Sequence, residues 1–237
     1  MGALLAVSNG TAEEGTLSAL ETALGRAFPD RRLARAFTSA FFRQRRQERG
    51  CPVDSVPEAL ERLLAQGYGD VAVQPLLVAE GRAYGQLLEM VRPYRGRFRR
   101  LAVGAPLLAG DCRDAAQALP LPPLAAGRVT VFVGHGGTGS GSFARLEGAL
   151  AAMGRRDVKI VPMEDLEDLG RRLEGEALCL RPLLLTAGRH ASRDIFPWKE
   201  RLEALGWSVT WTAEGLGMCP AVQAVFVRRL RAALESG

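Results

Sequence analysis

Short apolar runs alternate with longer segments of helical period along the whole chain of 237 residues. This alternation is typical of α/β proteins, in which helical crossovers join parallel strands. Eight runs are predicted to be strands: Ala3–Val7, Leu33–Phe37, Asp70–Leu77, Leu101–Val103, Val129–Val133, Val158–Val161, Ala177–Leu185 and Ser208–Thr212. The pattern therefore predicts an α/β fold with mainly parallel sheets.

A proline-rich segment, Leu119–Gly127, separates the first four predicted strands from the last four. Proline lacks the N–H that a strand ladder or a helix interior requires, so this segment is predicted to be a linker. We therefore expect two similar Rossmann-like domains, residues 1–125 and 126–237. Each would hold a four-stranded sheet flanked by helices.

The two halves also resemble each other in sequence. Gln74–Ala83 aligns without gaps on Arg181–His190, and Ala6–Thr11 resembles Phe132–Gly137. We interpret this as a duplicated half-domain with a cleft between the copies, although short apolar segments can also match by chance. In this alignment Asn9 and Ala83 stand opposite His135 and His190, so only the second half has the histidine pair.

Several helices are marked by their start signals or by an apolar face. The spacings Thr11-Ala-Glu-Glu14 and Ser55-Val-Pro-Glu58 are typical of capping boxes. Two apolar faces are predicted at helical spacing: Phe143, Leu146, Leu150 and Met153, and then Val222, Phe226, Leu230 and Ala233.

Composition argues against several function classes. No apolar run approaches the roughly 20 residues that cross a bilayer, and the N-terminus lacks a basic signal-peptide region, so we expect a cytoplasmic protein without membrane partners. The four cysteines contain no C-x-x-C pair, which disfavours a structural zinc site. Two arginine clusters, Arg43–Arg49 and Arg92–Arg100, come without a nucleic-acid motif. They are interpreted as solvated faces or as an attraction for a polycarboxylate ligand, not as a nucleic-acid interface.

The chain has two histidines, and each follows a predicted strand in a glycine-containing turn. His135 lies in Gly134-His-Gly-Gly137 and His190 in Gly188-Arg-His-Ala191. Because ligands of open parallel sheets bind beyond the carboxyl ends of the strands, both imidazoles are expected at one rim. A lone histidine is more often structural, but the pair is a candidate site for a borderline divalent ion such as cobalt, nickel, iron or zinc.

Glu164 follows the strand predicted at Val158–Val161 and could be a third ligand or a proton acceptor. The alternative is a structural role in the first turn of the next helix, where a carboxylate stabilises the helix dipole.

A second interpretation of the same loop is nucleotide binding. Gly134–Gly139 matches G-x-G-x-x-G, and Glu164 stands near the spacing of a ribose-binding acid. This would make the chain an NAD(P)-dependent oxidoreductase. No Walker A sequence, G-x-x-x-x-G-K-[ST], occurs, so ATP-driven chemistry has no support in the sequence.

An ordered set of segments spans nearly the whole chain and resembles one family. The segments are Ala6–Thr11, Arg35–Ser39, Leu64–Gln74, Val133–Gly136, Leu185–Ala191 and Gly215–Gln223. Together they resemble the anaerobic sirohydrochlorin cobaltochelatases, ATP-independent class II chelatases of cobalamin synthesis.

The resemblance implies insertion of Co²⁺ into sirohydrochlorin or precorrin-2, with cobalt as a substrate and no ATP or other nucleotide. It also implies a metal site of two histidines and a glutamate, and His135 and His190 carry over onto those motifs. Glu164 fits only if the loop is shifted, because a gapless alignment places Val161 at the acidic position. Leu77 and Arg189 also stand where the family has a histidine and an acid.

We expect substrate contacts from both halves: Asn9, Gly10, Thr11, Arg82, Tyr84, Gly136 and Arg189. Arg82 and Arg189 are equivalent across the repeat and could bind the acetate and propionate groups of the substrate, although both could also be ordinary solvent-facing arginines. Alternatives left open are a chelatase for Fe²⁺ or Ni²⁺ and a non-catalytic tetrapyrrole or metal carrier. Assembly into a homo-oligomer is also left open.

Overall fold

The computed structural model describes residues 1–10, 14–135, 140–186 and 189–236, and only the backbone of residues 140 and 189–196. These residues form two compact units. The first unit contains residues 1–107 and 223–237, and the second contains residues 108–222. This division differs from the boundary expected at residue 125, since residues 108–125 group with the second unit and most of the last helix groups with the first.

The first unit is a parallel sheet with the strand order β2-β1-β3-β4. Its elements are β1 (Gly2–Ser8), α1 (Glu14–Ala27), β2 (Arg31–Phe37), α2 (Ala40–Glu48), α3 (Val56–Ala65), β3 (Asp70–Pro75), α4 (Arg82–Val91), a 3₁₀ turn (Arg92–Tyr94) and β4 (Arg100–Val103).

The second unit repeats this order as β6-β5-β7-β8, again with parallel strands. Its elements are α5 (Arg113–Ala118), β5 (Arg128–Gly134), α6 (Ser140–Ala152), β6 (Val158–Pro162), a 3₁₀ turn (Met163–Asp165), α7 (Leu166–Arg172), β7 (Ala177–Pro182), α8 (Arg189–Ala204), β8 (Ser208–Trp211), a 3₁₀ turn (Leu216–Met218) and the start of α9 (Pro220–Ser236). The predicted α/β class with two four-stranded parallel sheets is confirmed.

The third strand of each sheet ends at a proline, Pro75 in β3 and Pro182 in β7. In each unit the next residue still donates a hydrogen bond to the neighbouring central strand: Leu76 N–H to the Val7 carbonyl at 2.6 Å, and Leu183 N–H to the Val133 carbonyl at 2.7 Å. The predictions Asp70–Leu77 and Ala177–Leu185 were therefore too long. The apolar residues continue past the proline, but the strand ladder does not.

The core of each unit lies on the faces of its sheet. β1 is buried over six of its seven residues, and Leu5 and Val7 pack with Leu60 of α3. In the second unit Val131 and Val133 pack with Leu202 of α8. Burying such side chains contributes about 1.5–3 kcal/mol each, which makes these apolar strands and helix faces the main source of stability.

The helix predictions are confirmed in most details. Ser55 and Glu58 form the predicted reciprocal capping box at the start of α3, whereas the box predicted at Thr11 falls outside the described residues. The two predicted apolar faces are buried at Phe143, Leu146, Leu150, Val222, Phe226 and Leu230. Met153 was wrongly included, because α6 ends at Ala152 and the Met153 side chain is exposed. Among the described residues, no helix is long and apolar enough to span a membrane.

Candidate functional site

The carboxyl ends of β5 and β6 place His135 and Glu164 at the same edge of the second sheet. Gly134, the last residue of β5, is in register with Pro162, the last residue of β6. His135 follows Gly134 directly, and Glu164 lies two residues beyond Pro162. Since neighbouring strands are about 4.8 Å apart, the two chain segments leave the sheet side by side.

His190 belongs to the strand on the other side of β5. β7 is in register with β5 through Val133 and Pro182, and α8 is the helix that follows β7 along the chain. His190 and Arg189 form the start of α8, and their side chains lie outside the described part. The backbone of His190 thus follows the carboxyl end of a strand adjacent to the one that precedes His135, as the sequence predicts.

The local fold explains why a glycine precedes His135. An added Cβ at Gly134 would lie 2.6 Å from the Cζ atom of Phe143, well inside van der Waals contact. Phe143 packs against the strand end in this way, and only glycine leaves room for its ring. The His135 side chain beyond this contact is exposed to solvent, so it is accessible to an incoming ion.

The third predicted ligand, a glutamate, has less support than the two histidines. Val161, which a gapless alignment places at the family's glutamate, is buried in the apolar core beside Val133 and Leu166. Glu164 is exposed in the 3₁₀ turn that follows β6. Among the residues whose side chains the structure describes, no group of three His, Cys, Asp or Glu side chains is close enough to hold a metal ion. The predicted set of His135, His190 and Glu164 stays a prediction, because one of its side chains is not described.

The equivalent edge of the first unit holds Asn9 and Gly10. The Asn9 side-chain oxygen accepts a hydrogen bond from the Thr38 hydroxyl at 2.7 Å, which ties the end of β1 to the end of β2. Gly10 has a φ of 95°, and an added Cβ would lie 2.6 Å from Cβ of Phe42. Glycine is therefore required at position 10 for its conformation and for the close approach of α2. The predicted contact residues Thr11 and Gly136 lie outside the described residues.

Arg82 and Tyr84 lie in the first turn of α4, beyond the carboxyl end of β3. Arg82 is exposed, whereas Tyr84 is half-buried and its hydroxyl donates to the Gly104 carbonyl at 3.3 Å. Burial raises the pKa of Tyr84, and the nearby Glu80 carboxylate raises it further. The phenol is therefore protonated at neutral pH.

Arg181 was not among the predicted site residues, although it interrupts the apolar pattern of β7. It lines a cavity of about 410 Å³ beside the ends of β5, β7 and β8, together with Glu214 and Cys219. One guanidinium nitrogen donates to the Pro120 carbonyl at 2.6 Å. The sequence signal for Arg181 was its alignment with Gln74 across the two halves. Gln74 is a fully buried polar residue, and its side-chain amide donates to the Ala105 carbonyl at 3.0 Å.

Comparison with known proteins identifies close relatives over the full length. The family model described as cobalt chelatase (CbiK) matches residues 2–235. Sirohydrochlorin cobaltochelatase from Salmonella typhimurium is 37% identical, over 98% of this chain and 96% of that protein. Sirohydrochlorin cobaltochelatase CbiKC from Nitratidesulfovibrio vulgaris is 38% identical, over 81% of this chain and 75% of that protein.

Solved structures share the fold at lower sequence identity. SirB from Bacillus subtilis with Fe³⁺ superposes with a TM-score of 0.68 at 17% identity, covering 99% of this chain and 96% of SirB. SirB from Bacillus subtilis subspecies spizizenii in complex with cobalt gives 0.65 at 15% identity, with the same coverage of both chains. These likenesses show a chelatase-like fold.

Proposed function

The chain belongs to the cobalt chelatase family, and from this premise we propose that it inserts Co²⁺ into sirohydrochlorin. The observation that carries the proposal is the match to the Salmonella sirohydrochlorin cobaltochelatase over almost the full length of both proteins. In the reaction Co²⁺ forms bonds to the four ring nitrogens, and two pyrrole N–H bonds break. Two protons leave as one doubly charged ion enters, so charge balances without a redox partner.

No nucleotide takes part in the proposed reaction. The sequence contains no Walker A motif, and the exchange of one ion for two protons needs no phosphoryl transfer. We expect the same initial rate of metallation with and without ATP. The oxidoreductase alternative would instead require NAD(P) binding, which an equilibrium titration of nucleotide fluorescence would detect.

The proposed metal-handling pair is His135 and His190. Imidazoles suit a borderline ion such as Co²⁺, and each binds it through an unprotonated ring nitrogen. Two protein ligands leave several coordination positions open to the ring nitrogens. The ion can then pass to the macrocycle instead of staying on the protein.

Glu164 is the proposed acceptor of pyrrole protons. It is exposed at the sheet edge from which His135 also extends, so it can take up a proton and return it to water. Glu164→Gln should reduce the metallation rate without weakening the binding of sirohydrochlorin. Asp165→Asn, the exposed neighbour in the same turn, is the matched control and should leave the rate unchanged. Equal rates for the two variants would remove Glu164 from the mechanism.

The reaction is tested by mixing metal-free sirohydrochlorin with Co²⁺ anaerobically and following the change of the absorption spectrum. The proposal expects faster metallation with the protein than without it, and faster metallation with Co²⁺ than with Fe²⁺ or Ni²⁺. Faster metallation with Fe²⁺ or Ni²⁺ than with Co²⁺ would mean that the protein is a chelatase for that other metal. No acceleration with any of the three would contradict the proposal.

A non-catalytic carrier is the second candidate, because two family positions hold buried aliphatic residues. Leu77 lies in the first unit and Val161 in the second, and each has at most 9% of its surface exposed. A carrier would bind sirohydrochlorin or Co²⁺ stoichiometrically and would not raise the metallation rate. Turnover of more than one sirohydrochlorin per protein molecule excludes this candidate.

A further inference from the structure

Helix α2 (Ala40–Glu48) is built unlike a core helix, because none of its residues is buried. A surface helix normally buries one apolar stripe against its sheet. α2 instead holds four arginines together with its C-cap residue, Arg49, and its two aromatic residues are adjacent at its start. Packing therefore does not account for the residues on its outward side.

The position of α2 is nevertheless fixed, at the carboxyl edge of the first sheet. It begins three residues after Phe37, the end of β2, and the Ser39 side chain caps it. The Ser39 N–H donates to the Asn9 carbonyl at 3.3 Å. Phe42 packs against Gly10. The helix is thus held beside the loop that carries the predicted substrate contacts Asn9 and Gly10.

The arginines of α2 divide into two sets by their partners. Arg43 pairs with Glu58 at 3.5 Å and Arg46 with Glu14 at 2.8 Å, so both contribute to local structure. Within the part of the chain that the structure describes, Arg45 and Arg49 have no carboxylate partner. Their charges are therefore available to an external anion.

Phe41, Arg45 and Arg49, which we call the α2 outer face, lie four residues apart and so share one side of the helix. Phe41 is 59% exposed, the one aromatic residue among the large apolar side chains exposed in the described ranges. The Arg45 guanidinium stacks over its ring at 5.0 Å from the centroid. On the adjoining positions the Gln44 side-chain amide donates a hydrogen bond to the Glu48 carboxylate at 3.1 Å.

We propose that the α2 outer face binds the carboxylate-bearing rim of the tetrapyrrole substrate. The inference rests on the proposed function, since sirohydrochlorin is a flat conjugated ring surrounded by acetate and propionate groups. Arg45 and Arg49 pair with those carboxylates, for which the planar guanidinium is well shaped. Phe41 contributes apolar contact beside the charged groups.

The second arginine cluster, Arg92–Arg100, lies in the same unit and provides a control. Arg100 begins β4 in register with Asp70 at the start of β3, so the cluster lies near the amino ends of the strands, where parallel sheets do not bind ligands. Arg95 and Arg99 of this cluster are exposed. Replacing them removes the same two charges at the opposite edge.

The experiment compares Arg45→Ala/Arg49→Ala with Arg95→Ala/Arg99→Ala. Dissociation constants for metal-free sirohydrochlorin are measured by fluorescence titration at fixed salt, and metallation rates are measured at saturating substrate. Two charged hydrogen bonds at a partly exposed surface correspond to roughly a tenfold weaker affinity for the α2 variant. The control variant should stay within about twofold of wild type, which is the effect of net charge alone.

The outcomes separate this inference from the proposed function. If the wild-type protein neither binds nor metallates sirohydrochlorin, the proposed function and this inference are both contradicted. Wild-type activity with equal affinities for the two double variants defeats the inference alone. Misfolding does not confuse the result, because α2 buries no side chain and matching thermal unfolding curves verify the fold. Raising the salt concentration should also weaken wild-type binding more than it weakens binding by the α2 variant.

Discussion

Gly134→Ala tests the packing that positions His135. The new Cβ would lie 2.6 Å from Cζ and 3.1 Å from Cε2 of Phe143, whereas carbon atoms are at optimal separation at about 3.5–4.0 Å. The ring or the strand end must therefore move by about 1 Å. Phe143 is only 6% exposed, so the ring has little space to move into. Overpacking of this kind costs about 1–3 kcal/mol, and we expect the melting temperature to fall by roughly 2–12 °C.

The same change should reduce metallation, since His135 is the next residue along the chain. Misplacement of a reacting group by about 1 Å can lower a rate by up to a hundredfold, so we expect a loss of roughly ten- to a hundredfold in kcat. The assay is anaerobic formation of cobalt-sirohydrochlorin, followed by absorption. The second-site change Phe143→Leu removes the clashing ring atoms and should restore most of the lost rate.

Gly148→Ala is the matched control, because Gly148 lies in α6 with no atom within 4 Å of an added Cβ. It should raise stability by up to about 1 kcal/mol through helix propensity and leave the rate unchanged. Two results would refute the reasoning: full stability and full activity of Gly134→Ala, or failure of Phe143→Leu to restore a defective Gly134→Ala protein.

Two further predictions concern stability. Arg31 binds Asp70 through two hydrogen bonds of 3.0 Å and lowers the pKa of that carboxyl below its ordinary value. This stabilisation is fully present well above the unfolded pKa of about 3.9 and is lost as the pH falls through the lowered folded pKa. Asp70→Asn should therefore cost about 2 kcal/mol in urea unfolding at pH 7 and progressively less below pH 4, whereas the exposed Asp30→Asn should cost little at either pH. Ser55→Ala removes the side-chain half of the capping box and should cost about 1 kcal/mol; an unchanged urea midpoint would contradict that role for the box.

Much of the fold could be predicted because its signals are local. Alternating apolar runs located all eight strands of the part that the structure describes, and the prolines explain where two of them end. The unit boundary could not be predicted in the same way. The helix α9 starts at Pro220 in the second unit, while its residues from Gln223 onward group with the first. No local pattern shows which sheet a closing helix packs against.

The candidate site was predictable in part. Glycine-containing turns after apolar runs led to His135 and His190, since parallel sheets present their carboxyl ends to ligands. Helix α2 was not predicted, because a segment without a buried stripe carries no helical periodicity in its apolar residues. Its arginines were recognised as a cluster, but only the structure separates Arg45 from Arg46, whose charge is already paired with Glu14.

The central claim is that His135 and His190 together deliver cobalt to the tetrapyrrole. The most direct measurement compares wild type with the His135→Ala/His190→Ala double variant in anaerobic cobalt insertion at saturating sirohydrochlorin. We expect the double variant to lose at least about a hundredfold in rate while it still binds sirohydrochlorin with wild-type affinity. Cobalt insertion by the double variant at the wild-type rate would contradict the claim.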